Sequence, residues 1–66
     1  MTVLCTIRKD LIDQDLSIPT REGVYLSGGL YGVVDCRDGG IDEFNMTIID
    51  SGGNTYNVVS IDFDFI

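Results

Sequence analysis

Three arginines and three tyrosines are the residues best suited to hold a small molecule. Arg8, Arg21 and Arg37 carry guanidinium forks that match phosphate oxygens. Tyr25, Tyr31 and Tyr56 carry rings able to stack on a base. Ser27-Gly28-Gly29 and Ser51-Gly52-Gly53 add backbone amides of the kind that form anion-binding nests. Neither tripeptide continues into the Gly-Lys-Ser/Thr of a P-loop. A nucleotide-like small molecule is the ligand such a set would take. The plainer reading carries more weight: these glycines turn the chain, the arginines pair with nearby aspartates, and strand tyrosines pack at the margin of a core.

Carboxylates are the other resource. Asp62 and Asp64 share one face of a strand, where side chains two residues apart stand about 7 Å from each other. That is too far for easy joint ligation of a metal, so both read as outward residues open to a partner. Asp38, Asp42 and Glu43 flank a glycine turn without the D-x-D-x-D-G order and closing glutamate of a calcium loop. The chain has no histidine, which removes the commonest general base and the commonest zinc ligand. Cys5 and Cys36 lie far apart, with no C-x-x-C. Cys5 falls on an apolar strand face and reads as a buried structural thiol. Cys36 stands beside Arg37, a lone charge and a weak sign of reactivity. No metal, cofactor or catalytic residue is expected. A chain this short leaves little room for a cleft of roughly 300–1,000 Å³, so the expectation is a protein that binds and does not catalyse.

These groups must be positioned by a single small unit covering residues 1–66. Eleven acids against four bases give a net charge of -7, which disfavours direct binding to nucleic acid or anionic membrane. The same charge admits a protein partner with a basic surface, or simply keeps the protein soluble. The start of the chain lacks the pattern of a secretory signal, and a cytoplasmic location with reduced thiols is expected. A domain of this size buries only about 60% of its unfolded surface. With no disulfide or metal to compensate, self-association into a homo-oligomer is the expected supplement.

Glycine-rich breaks separate short apolar runs. Thr2 to Arg8 alternates, with Val3, Cys5 and Ile7 on one side, and predicts a half-buried strand. Lys9 to Leu16 reads as a loop or one helical turn capped by Asp10. Ser17 to Glu22 reads as a connection. Leu30 to Cys36 predicts a strand with a bulge or close approach at Gly32. Arg37-Asp38-Gly39-Gly40 predicts a tight hairpin turn, leading into a strand from Asp42 to Ile49 with Phe44, Met46 and Ile48 on one face. Asp50 to Asn54 predicts a second hairpin turn into Thr55 to Ser60. Ile61 to Phe65 closes the pattern, with Ile61, Phe63 and Phe65 inward and Asp62 and Asp64 outward.

About five short antiparallel strands in this length imply an all-β fold, a small barrel or a strongly bent sheet. The run Gly23-Val24-Tyr25-Leu26-Ser27-Gly28-Gly29-Leu30-Tyr31-Gly32-Val33-Val34-Asp35 resembles the glycine-then-Gly-Val-Val pattern of SH3-like small barrels. The hairpin from Phe44 to Ser60 resembles them too. That resemblance implies a fold used for binding peptides, proteins, nucleic acid or small ligands, and it selects no function. There is no tryptophan for the aromatic groove of the signalling SH3 domains, so no site residue is transferred. Three functions fit this inventory. The first is an inhibitory or binding protein, of the kind a phage or mobile element encodes for the host cytoplasm, acting on a protein partner through its acidic surface. The second is an oligomeric sponge for a nucleotide-like signal. The third is a DNA mimic built from spaced aspartates.

Overall fold

The computed structural model describes residues 3–40 and 43–66. Its main element is a five-stranded antiparallel sheet in the order β6-β5-β4-β1-β7. The strands are β1 (Val3–Ile7), β4 (Leu30–Cys36), β5 (Met46–Ile49), β6 (Thr55–Val58) and β7 (Phe63–Phe65). A separate two-stranded hairpin, β2 (Ile18–Pro19) with β3 (Tyr25–Leu26), lies in the long β1–β4 connection. Thr2 and Asp42, expected as strand starts, fall outside the described residues. The all-β expectation holds, and the alternation of apolar residues explains it. One face of every long strand carries side chains that must leave water.

Cross-strand register shows how that face is assembled. Ile7 stands opposite Phe63, Cys5 opposite both Phe65 and Tyr31, Val33 opposite Ile48, and Ile48 opposite Tyr56. Met46 completes the row against Val58. Cys5, Ile7, Met46, Ile48 and Val58 are fully buried, and Tyr31 and Phe63 nearly so. Ile18 and Leu26, paired with each other on the small hairpin, close over the same cluster. The segment expected as a plain connection therefore supplies a lid to the core. Pro19 is tolerated there because the hairpin's hydrogen bonds fall on its neighbours, with the Thr20 amide donating to the Val24 carbonyl at 3.0 Å.

Several local expectations are corrected. Gly32 sits in regular register with Leu4 and Ile49, and the bulge falls at Val34 instead. Strict alternation from Tyr31 and Val33 would turn Asp35 toward the core. The extra residue at Val34 places Asp35 opposite Thr47, on the solvent face. Arg37 to Gly40 is not a tight turn. The connection runs on to Asn45, where the Arg37 amide donates to the Asn45 carbonyl at 2.7 Å, and β5 starts only at Met46. A two-residue Asp-Gly turn needs positive φ at both positions, and neither Asp38 nor Gly39 adopts it. A Cβ on Gly39 would lie 2.7 Å from that of Asn45, so glycine is needed there for close approach. Phe44 is largely out of the core, unlike Met46 and Ile48. The second hairpin turn is as expected, with Gly53 at φ 84°.

Helix α1 (Lys9–Asp13) occupies the stretch expected to be a loop or single turn. Arg8, not Asp10, takes the N-cap position, and no side chain caps it. The helix ends in a Schellman motif: the Leu16 amide donates to the Leu11 carbonyl at 3.0 Å and the Asp15 amide to the Ile12 carbonyl at 2.9 Å. Asp15 sits in the left-handed region at φ 56°. Glycine bears that conformation at lower cost, and Asp15 makes no side-chain hydrogen bond among the described residues. Asp15→Gly is therefore expected to raise stability by about 0.5–1 kcal/mol, read as a higher urea midpoint.

Ile61 to Phe65 is not one strand. A 3-10 turn over Ser60–Asp62 precedes β7. Among the three side chains expected inward, only Phe63 is buried, while Ile61 is 52% exposed and Phe65 56%. No described helix is long and apolar enough to cross a membrane.

Candidate partner-binding surface

The six cationic and aromatic candidates do not converge. Arg8 spends its guanidinium locally, donating from Nε and Nη2 to the Asp10 carboxylate at 3.2 and 3.0 Å and from Nη1 to the Ile61 carbonyl at 3.2 Å. Arg37 does the same with Asp35 at 2.7 Å and the Phe44 carbonyl at 3.3 Å. Arg21 lies in the turn of the small hairpin, where its backbone amide donates to the Asn57 carbonyl at 2.9 Å. Tyr31 belongs to the core. Its ring meets Phe63 edge-on at 6.2 Å and its hydroxyl donates to the Gly28 carbonyl at 3.0 Å. That leaves no open face for a base. Tyr56 is half-buried against the same core, with its hydroxyl on Asp50 at 3.4 Å. Tyr25 alone presents its ring to solvent, 68% exposed on β3. The set that would grip a nucleotide is thus dispersed over the residue after β1, the small hairpin, β4 and the residue after it, and β6, and no cavity lies among the described residues.

Asp50 and Glu22 are structural carboxylates that the sequence did not single out. Asp50 closes the β5–β6 hairpin: its Oδ1 accepts from the Gly52 and Asn54 amides at 2.9 Å. Glu22 grips β6, accepting from the Asn57 amide at 2.7 Å and from Asn57 Nδ2 at 2.9 Å. The hydrogen bonds from Asn54 hold the Asp50 carboxyl below its ordinary range, and those from Asn57 do so for Glu22. A carboxyl whose folded pKa is depressed stabilises the fold above its unfolded pKa, and that stability is lost as pH falls through the folded value. Acid unfolding is therefore expected to steepen below about pH 4. Glu22→Gln should be less stable than the parent at pH 7 and approach it at pH 2.5. Denaturant midpoints at the two pH values check this, and a constant gap between the chains would refute it.

Asp62 behaves in the opposite sense. Burial pushes its carboxyl up, while the neighbouring Arg8 charge pulls it down. The net rise means that its contribution is favourable at low pH and is lost as pH increases. Asp64, directly opposite Thr6 of β1, is exposed. Asp10, tied through Arg8 to the Ile61 carbonyl, is exposed nearby, and Asp13 and Asp15 are exposed on α1 and its C-terminal turn. Ile12, Leu16, Ile61, Phe65 and Ile66 are exposed as well. The β1 register places Leu4 opposite Gly32 and Thr6 opposite Leu30 on the outer face, where Leu4 pairs with Ile66 and both are exposed, with exposed Leu30 on the far side of β1. The region where β7 and β1 meet thus combines carboxylates with apolar side chains. Arg8 belongs here too, though its charge is occupied by Asp10. Cys5 lies beneath this region, buried, its thiol pKa raised by desolvation, while Cys36 is exposed at the end of β4.

What this arrangement can do is dock a surface of opposite charge and matching apolarity. No three acidic or thiol groups converge on a metal-sized site among the described residues. No family model, curated protein sequence or solved structure matches this chain.

Proposed function

We propose that this chain is a non-catalytic binding and inhibitory protein, of the kind a phage or mobile element encodes, that occupies a basic surface of a protein partner. The observation that carries this reading is the composition of the β1–β7 region. Arg8 bridges exposed Asp10 to the Ile61 carbonyl, and on β7 exposed Asp64 stands next to exposed Phe65, with Ile61 and Ile66 exposed on either side of that strand. Acid alone would serve solubility, but large apolar side chains in the same region cost solubility and contribute affinity when covered. An SH3-like barrel is the proposed architecture. The order β6-β5-β4-β1-β7, in which the last strand returns beside the first, supports it, as does the small hairpin packed against the core.

The test compares the parent with an Asp13→Lys, Asp64→Lys double variant. Both residues are exposed, and Asp62 is left intact because its neighbour is Arg8. Capture of a protein from host lysate by the parent, weakened at least tenfold by the variant and by raising salt from 0.05 to about 0.5 M, is the expected result. Capture that ignores both changes would overturn the electrostatic reading. A small molecule retained in native mass spectrometry, with no protein captured, would favour a ligand sponge instead.

A further inference from the structure

We infer that the outer edge of β7 is a docking site for an extended basic peptide, which adds to the sheet as a sixth strand opposite Phe63–Phe65. This inference rests on the protein-binding reading above and names the surface and the chemistry of the partner.

The two edges of the main sheet are treated differently. At the β6 edge, the outward backbone groups of Asn57 are both taken: its amide donates to Glu22 and its carbonyl accepts from Arg21. The small hairpin thereby blocks strand addition there. At the β7 edge the ladder itself shows which groups face out. The Arg8 amide donates to the Asp62 carbonyl at 3.0 Å and the Ile66 amide to the Leu4 carbonyl at 2.9 Å. With Thr6 opposite Asp64, residues 62, 64 and 66 direct their backbone groups toward β1. Phe63 and Phe65 therefore direct theirs away from the sheet. The Phe63 amide is satisfied by the Ser60 carbonyl of the 3-10 turn. The Phe65 amide and the Phe63 and Phe65 carbonyls have no partner among the described residues. In an antiparallel addition, the residue facing Phe65 would exchange two hydrogen bonds with it.

Side chains then define the peptide. Asp64 would form the close, non-hydrogen-bonded pair with its opposite residue, an arrangement that rewards a lysine or arginine. Phe65, 56% exposed on the other face, would be covered by an apolar residue in the adjacent position. The partner segment therefore alternates basic and apolar residues. Charge also argues against a second copy as the occupant. Pairing β7 with itself about a two-fold axis at Asp64 would bring that carboxylate within about 4.5–5.5 Å of its mate, in a chain of net charge -7.

The probe is an acetylated, amidated eight-residue peptide alternating valine and lysine, added to the full chain. Its control has two central valines replaced by proline, which keeps the charge and removes the donors a sixth strand needs. Binding about tenfold tighter than the control, with slowed hydrogen exchange at the Phe65 amide, is the expected result. Asp64→Lys, exposed and outside the core, should exchange the preference for a valine–glutamate peptide. Equal binding of both lysine peptides, without protection at Phe65, would overturn edge addition while leaving the general acidic-surface reading standing. Absence of binding to either peptide would overturn edge addition too, and lysate capture would then decide the broader reading separately. Phe65 protection that rises with protein concentration in the absence of peptide would show that a second copy covers the edge, and would also overturn it.

Discussion

Ile48→Ala is expected to lower the melting temperature by roughly 10–25 °C and to leave a measurable unfolded fraction at 37 °C. Ile48 is fully buried at the centre of the sheet, between Val33 on β4 and Tyr56 on β6. Truncating a buried isoleucine to alanine costs about 2–5 kcal/mol, from lost transfer energy and from the cavity left behind. Domains of this length hold only about 3–10 kcal/mol in total, so a single side chain can consume a large share. The cavity has little chance to collapse, because strands on both sides fix the backbone around it. Ile48→Val, which removes one methylene, should cost about 0.5–1.5 kcal/mol. Leu30→Ala, on an exposed side chain of the adjoining strand, should change stability by no more than about 0.5 kcal/mol. Circular-dichroism melts of the three variants check the ranking. An Ile48→Ala protein melting with the parent would mean that the core is not assembled around β5.

Asn45→Ala is expected to cost about 2–3 kcal/mol, although it removes no apolar contact of consequence. Asn45 is a buried polar residue whose amide group ties three segments together. Its Nδ2 donates to the Arg37 carbonyl and to Ser60 Oγ, both at 2.9 Å, and its Oδ1 accepts from the Ser60 amide at 2.9 Å. It therefore fixes the end of the long β4–β5 connection to the 3-10 turn that launches β7. Alanine would leave the part-buried Ser60 amide and the Arg37 carbonyl without these partners, and such groups pay desolvation when left unpaired. The Ser60 amide should lose hydrogen-exchange protection more than amides of β5 and β6 do. A double-mutant cycle with Ser60→Ala should show coupling of at least about 0.5 kcal/mol. Additive effects, with Ser60 exchange unchanged, would show that the tie is dispensable.

Both residues bear on how much could be read in advance. The Met46 and Ile48 pair was legible as a core face because alternation along a strand needs no knowledge of its neighbours. Cys5 as a buried thiol and the Asp50–Asn54 turn followed from equally local rules. Alternation puts Asn45 on the face away from Met46 and Ile48, but it reports a direction and not what comes to meet the side chain. The same limitation hid the role of Glu22, which lies 35 positions from Asn57 in the chain. It also placed Ile61 and Phe65 inside. A period of two is kept through the Ile61–Phe65 sequence, but hydrogen bonds from the Asp62 amide to Val59 and from the Phe63 amide to Ser60 wind its first half into a 3-10 turn. The candidate arginines illustrate the electrostatic version. Their residue type admits phosphate, but the weightier reading, pairing with nearby aspartates, is the one Arg8 and Arg37 adopt, each with a carboxylate two positions away. Tyr31 packs in the core, in line with the weightier reading of the strand tyrosines.

Local order along the chain, the alternation of apolar residues and the spacing of glycines, was enough to determine an all-β protein of about five strands and the absence of histidine chemistry. These are properties of single segments and of composition. Tertiary structure alone decided which sheet edge the small hairpin seals and which keeps backbone groups without a partner among the described residues, where β4 bulges, and how the arginines and tyrosines are scattered. Each of those outcomes depends on a hydrogen bond or a desolvated contact between residues distant in sequence, as with Glu22 on Asn57 or Asn45 on Ser60. Their energies exist only once the chain has closed on itself.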